Sequence, residues 1–154
     1  MSVKDAAQRQ CQRIVDRAGR QLAGLATPSG GWLATARKAL GMSGADVARR
    51  MGVTRAAIHQ AERNEADGAI TLRQMEKLAA AIGGKFVYAI VLEDTVEDAI
   101  RAQARRKAEN RVRRAGVHMA LEDQALSLDE TARRIDELAR QLARDMPPGF
   151  WDDQ

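Results

Sequence analysis

The chain has 154 residues, room for one compact domain with appendages or for a small domain with helical arms. Its hydrophobic residues, 45% of the total, are largely alanine, and aromatics supply only 3%, a balance that suits closely packed helices and argues against a sandwich or barrel. One cysteine, Cys11, excludes an internal disulfide, and a net charge of +4 says little about partners until its distribution is read.

From about Lys4 to Leu25 the pattern is helical, with Ile14, Ala18, Leu22 and Leu25 in one stripe and Arg9, Arg13, Arg17 and Arg20 around it. That stripe needs a partner surface on its own chain or on a second copy, unless the helix is a free basic arm. T-P-S-G-G at 27–31 is a breaker cluster and marks a joint. Beyond it, Trp32 to Leu40 predicts a helix with Trp32, Leu33, Ala36 and Leu40 inward and Arg37 and Lys38 near its C-terminal end.

Ser43 to Glu62, S-G-A-D-V-A-R-R-M-G-V-T-R-A-A-I-H-Q-A-E, predicts two short helices meeting at a glycine. Ser43 caps the first, which runs through Val47 and Ala48 to Met51. Gly52 ends it, because positive φ at a helix C-terminus costs least in glycine, and Val53 tucks back toward the core. Thr54 caps the second helix, with Ala57, Ile58 and Ala61 inward. Small side chains at Ala48 and Ala57 allow a steep, close crossing. The stretch resembles the helix-turn-helix of phage repressor/Cro (XRE-type) proteins, with Val47-Ala48, Gly52-Val53-Thr54, Ile58 and Glu62 at the expected offsets. It departs at Gly44, where a phosphate-contacting glutamine is common. A phosphate contact there falls to a backbone amide or to Ser43.

A second helix lying in the major groove points its N-terminal turn at base edges. Arg55, Ala56, His59, Gln60 and Asn64 are therefore the candidates for base readout. Arginine bridges guanine O6 and N7, glutamine bridges adenine N6 and N7, and an alanine methyl meets a thymine methyl. Ser43, Arg49, Arg50, Thr54 and Arg63 are the candidates for phosphates.

N-E-A-D-G-A-I then loops to an N-cap at Thr71, and a helix carries Leu72, Met75, Leu78, Ala79 and Ile82 as core, closing at Gly83-Gly84. Lys85 to Leu92, K-F-V-Y-A-I-V-L, reads as a strand with both faces apolar. No second stretch matches it. Unpaired backbone is costly when buried, so the expectation is antiparallel pairing with a second copy through Phe86, Val87, Tyr88, Ile90 and Val91. A buried helical turn, or pairing with a short terminal stretch, is the alternative.

Thr95 caps a long helix expected to end near Gly116, with Glu97 and Asp98 in its first turn and arginines in its last. Residues 99–116 hold seven Lys/Arg against Glu109 alone, and residues 1–42 hold seven against two acids. From His118 onward four arginines face nine acids. The basic face is a solvated surface, a phosphate contact or a dock for an acidic partner. A last helix, Leu128 to Arg144, has Leu128, Ile135, Leu138 and Leu142 as its apolar stripe, and P-P-G-F-W at 147–151 leaves two aromatics in a tail.

The expected fold is mainly α: a five-helix-type repressor-like helix-turn-helix domain, flanking long helices and one β-strand paired across a dimer. The expected divisions are 1–26, an N-terminal amphipathic helix; 31–84, the DNA-binding domain; 85–92, the dimerisation strand; and 95–154, a C-terminal helical arm. His59 and His118 are scattered and no nucleophile–base pair or metal cluster assembles, so no enzyme, no cofactor and no metal are expected. No apolar run is long enough to span a membrane, and M-S-V-K-D-A-A-Q at the start lacks the apolar core of a secretion signal. A cytoplasmic, nucleoid-associated location and no membrane partner are expected.

With its flanks, G-W-L-A-T-A-R-K-A-L-G-M-S-G-A-D-V-A at 31–48, E-A-D-G-A-I-T-L at 65–72 and F-V-Y-A-I-V at 86–91, the chain resembles the family called mobile mystery protein A. The resemblance implies a repressor-type DNA-binding protein encoded beside a Fic-domain protein, hence an antitoxin-like, autoregulating partner of a Fic-type nucleotidyl-transferase. The inhibitory helix of such antitoxins carries S/T-x-x-x-E-G/N; the nearest match here, Arg105 to Asn110, has arginine where Ser or Thr belongs. The reading from residues and resemblance together is a homodimeric transcriptional repressor on double-stranded DNA with an inverted-repeat operator. The alternative is an interaction protein that binds and neutralises a Fic-type enzyme, with DNA binding secondary.

Overall fold

A computed structural model describes residues 1–121 and 126–153. Glu122 and Asp123, two of the nine acids counted from His118 onward, lie outside the described residues. Seven helices are present among the described residues: α1 (Val3–Leu22), α2 (Trp32–Ala39), α3 (Gly44–Met51), α4 (Arg55–Ala66), α5 (Leu72–Ala81), α6 (Val96–Leu121) and α7 (Leu128–Asp145). They fall into two compact units, one of residues 23–89 and the other of residues 1–22 with 90–154.

Residues 23–89 fold around Leu33, Val47, Ala48, Ile58, Ala61, Met75 and Leu78, one cluster fed by α2, α3, α4 and α5. Four helices, not five, build this unit, because the chain after α5 forms no further helix before Val96. Each of α3, α4 and α5 begins at a hydroxyl N-cap: Ser43, Thr54 and Thr71 accept from the amides of Asp46, Ala57 and Gln74 at 3.1 Å. Gly52 closes α3 at φ 67, as the sequence demanded, and the amide of Val53 donates to the Ala48 carbonyl at 3.0 Å.

Several inward assignments fail. Trp32, Leu40, Val53 and Leu72 are exposed by 41%, 57%, 43% and 51%, and Ala57 is exposed as well, so that Ala61 is the small residue that lets α4 approach the core. Short helices bury only a narrow stripe. A residue at the edge of an apolar pattern ends on the rim.

In the other unit, α6 and α7 form an antiparallel hairpin around Ala104, Ala108, Leu142 and Phe150, with Ile100, Ile135, Leu138 and Ala139 beside them. Ala104 and Ala108 are wholly buried, so at these two positions α6 offers only a methyl group and leaves room for the larger Leu142 and Phe150. Helix α6 continues past Gly116 to Leu121, longer than expected. A mid-helix glycine costs only about 1 kcal/mol, which packing against a neighbour offsets. Leu128 is 90% exposed and does not belong to the stripe of α7. Of the two tail aromatics, Phe150 is buried, its carbonyl accepting from the buried Gln103 amide at 2.7 Å, while Trp151 stays exposed and meets Phe150 edge-on. Helix α1 ends at Leu22, short of the expected Leu25, and buries no residue completely; Ile14 is 61% exposed. A carboxylate of α1, Asp16, accepts from the amide of Val96 at the start of α6 at 2.8 Å.

Residues 85–92 form no strand within the single chain, and no hydrogen bond of their backbone is recorded among the described residues. Phe86 packs against the cluster of residues 23–89 and stacks on Tyr88 at 5.8 Å. Val87, Tyr88 and Ile90 are exposed by 70%, 69% and 81%. An apolar run with a bare backbone and no neighbouring strand has nothing to form a ladder with.

Candidate nucleic-acid interface

Helices α3 and α4, joined by Gly52-Val53-Thr54, are the helix-turn-helix. Ile58 and Ala61 anchor α4 in the core, at 3% and 5% exposure. That anchoring turns Arg55, Ala56, Gln60 and Arg63 to solvent, with His59 and Asn64 half-buried at the edge of the same surface. The structure thus gathers the expected readout residues on or beside one face of one helix.

These side chains are held by one another. The Arg55 Nε donates to His59 Nε2 at 3.3 Å, Arg63 donates to Gln60 Oε1 at 2.8 Å, and Gln60 Nε2 donates to Asn64 Oδ1 at 2.9 Å. Spacings of three and four residues on one helix make such pairs neighbours. They reduce the side-chain freedom lost when a ligand is bound.

The phosphate candidates are partly engaged elsewhere. Ser43 forms a capping box with Asp46: its hydroxyl accepts from the Asp46 amide and donates to the Asp46 carboxylate at 2.7 Å, and its amide donates to that carboxylate at 2.6 Å. The Ser43 hydroxyl and amide hold the Asp46 carboxyl below the usual carboxylate range. Arg49 pairs with the same carboxylate, and Arg50 donates to the Ala81 carbonyl at the end of α5 at 3.0 Å. Thr54 is the N-cap of α4. At Gly44 a Cβ would lie 3.0 Å from His59 Nε2, so a longer residue there requires the imidazole to give way by a few tenths of an ångström.

Two polar ties that the sequence reading missed set the pose of α4. Arg37, buried on α2, forms a two-pronged pair with Glu62 at 2.5 and 3.1 Å and also donates to the Met42 carbonyl at 3.0 Å. Bonding to the Glu62 carboxylate raises the Arg37 pKa above its ordinary value. The signal was present, because Arg37 lies four residues after Leu33 and shares its face. Glu65 supplies the second tie, accepting from the amides of Trp32 and Leu33 at 2.6 and 2.9 Å and so capping α2 from α4. Gly31 makes this possible: its φ is 85 and a Cβ there would fall 2.7 Å from the Glu65 carboxylate.

Residues 33–88 match a family model described as Helix-turn-helix. This segment is a helix-turn-helix of the XRE type, the module of DNA-binding transcriptional regulators. No curated protein and no solved structure matches the chain. No described helix is long and apolar enough to cross a membrane, and no group of three or more His, Cys, Asp and Glu among the described residues is placed to hold a metal ion.

Proposed function

We propose that the chain is a sequence-specific repressor that binds an inverted-repeat operator as a homodimer, and that it is the antitoxin-like, autoregulating partner of a Fic-domain protein. The observation that carries the DNA reading is the solvent face of α4, where Arg55, His59, Gln60 and Arg63 stand over an apolar anchor. Arg55 and Gln60 read bases, Ala56, His59 and Asn64 complete the surface, and Ser43, Arg49, Arg50, Thr54 and Arg63 hold phosphates.

One such helix contacts few base pairs, so specificity calls for two copies with half-site centres about one helical turn apart or a multiple of that. The unpaired run from Phe86 to Val91, exposed from Val87 onward, supports the dimer, since an antiparallel pairing of two copies would satisfy its backbone and cover Val87, Tyr88 and Ile90. The Fic partner rests on the resemblance to mobile mystery protein A.

Footprinting on the DNA upstream of the chain's own gene tests the reading. A protected inverted repeat is expected, and Arg55→Ala or Gln60→Ala is expected to weaken binding by about 1–3 kcal/mol and to relax preference at one base pair per half-site. Unchanged titrations against matched and mutated operators would remove both residues from the readout. Co-purification of the full chain with the neighbouring gene product tests the partner separately.

A further inference from the structure

Away from the helix-turn-helix, the helices of the other unit gather arginines on a groove. Arg101 and Arg105 of α6 and Arg140 and Arg144 of α7, with Ala139 and Ala143, line an open groove of about 400 Å³. Across Arg101, Ala143 and Arg144 lies a second hollow of about 560 Å³, which adds Arg9 of α1 together with Gln8, Gln12, Ile100 and Met146.

The charges in the first groove do not balance. Arg101 pairs with Glu97, and Arg105 is shared between Glu109 and Asp136, each at 3.0 Å. No carboxylate partner of Arg140 or Arg144 is recorded among the described residues, and Asp136 is the one acid lining the groove. Like charges four residues apart on a helix destabilise it. Here Arg101 and Arg105 already hold carboxylates, and Arg140 and Arg144 form the row left without recorded ones. A multivalent anion relieves that repulsion, and the guanidinium fork suits phosphate oxygens in pairs.

Residues four apart on a helix are about 6 Å apart along its axis, so the rows offer several anchoring points to a short chain of phosphates. The adjoining hollow, with two side-chain amides and two apolar side chains, suits the remainder of a nucleotide. Both volumes fall within the range of small-ligand sites. A continuous nucleic-acid backbone suits the groove less well, because residues 1–22 and 90–154 hold sixteen Lys/Arg against sixteen Asp/Glu, and Asp5, Glu97 and Asp136 line the two hollows.

We propose that this groove binds a nucleoside di- or triphosphate, with the phosphates on Arg101, Arg105, Arg140 and Arg144 and the nucleoside beside Gln8, Gln12 and Ile100. Calorimetric titration and thermal unfolding of the full chain in magnesium-free buffer, with ADP, ATP and tripolyphosphate, test it; sulfate at matched ionic strength and a duplex lacking the operator are the controls. ATP is expected to bind and raise the melting temperature, and to do so more than tripolyphosphate. The double variant Arg140→Gln/Arg144→Gln is expected to stay folded and to lose affinity about tenfold or more. Arg114→Gln, on α6 and outside both hollows, is expected to keep it. If the double variant unfolds, Arg140→Gln alone carries the same expectation.

Equal ATP binding by wild type and variant overturns the site. Tripolyphosphate as tight as ATP overturns the nucleoside part, and sulfate as effective as either reduces the effect to screening. A larger loss for the non-operator duplex than for ATP overturns the small-ligand reading and assigns the groove to nucleic acid.

Discussion

The two units solve the same packing problem with different chemistry. Residues 23–89 hold nine Lys/Arg against five Asp/Glu, so the whole net charge of +4 sits there, and their helices are tied by buried or half-buried polar groups: Arg37 to Glu62, and Glu65 to the start of α2. The remaining residues carry no net charge, and their hairpin closes over alanines, with Gln103 fastening Phe150. Directional polar ties set the pose of α4 against α2, through Arg37–Glu62 and through Glu65 at the start of α2. Packing of the α6 alanines with larger apolar side chains such as Leu142 and Phe150 is not directional, and apart from Gln103 the described polar side chains of the hairpin are not buried.

The largest effect should come from splitting the buried pair. Arg37→Met leaves the Glu62 carboxylate, itself 13% exposed, without its partner, and chemical denaturation should show a loss of about 3–5 kcal/mol. Adding Glu62→Leu should recover much of it, because the unpaired charge is gone; no recovery would mean that the pair contributes more than compensation. In the other unit the equivalent blow is steric. Ala108→Leu forces three extra heavy atoms into a site with no exposure and should cost about 1–3 kcal/mol in the same denaturation experiment.

Glu65→Ala frees two amides at the start of α2 and should cost about 1–2 kcal/mol, read in the same denaturation experiment. The smallest effect is on acid sensitivity, and both units should share it. The Asp46 carboxyl is lowered chiefly by the Ser43 hydroxyl, and the Glu130 carboxyl chiefly by the Ser127 amide. A lowered carboxyl contributes its stability above the ordinary value near pH 4 and loses it as pH falls through the lower, folded value. Ser43→Ala should therefore separate from wild type in melting temperature at neutral pH, and the gap should narrow in stronger acid.

The helix-turn-helix was legible because its signals are local. Ser43, Gly52, Thr54 and Thr71 each act within four residues of themselves, and all four behave as read. What escaped was non-local. Arg37 and Glu62 are 25 positions apart, and no periodicity announces that they meet. Depth was misjudged for Trp32, Leu72 and Leu128, since a pattern gives the direction of a side chain and says nothing of how much protein lies above it. Gly116 looked like a stop, but glycine ends a helix only where the backbone turns to positive φ, and here it does not. The run from Lys85 to Leu92 has strand composition without a strand, because pairing needs a second stretch that the chain does not place beside it.

The imidazole resting over Gly44 couples two positions that sit on different helices. Changing His59 to a small residue would remove the ring from the head of α3 and relieve the tight approach that any side chain at position 44 would meet. Substitutions at residues 44 and 59 are therefore expected to be non-additive in stability, which a double-mutant cycle measures.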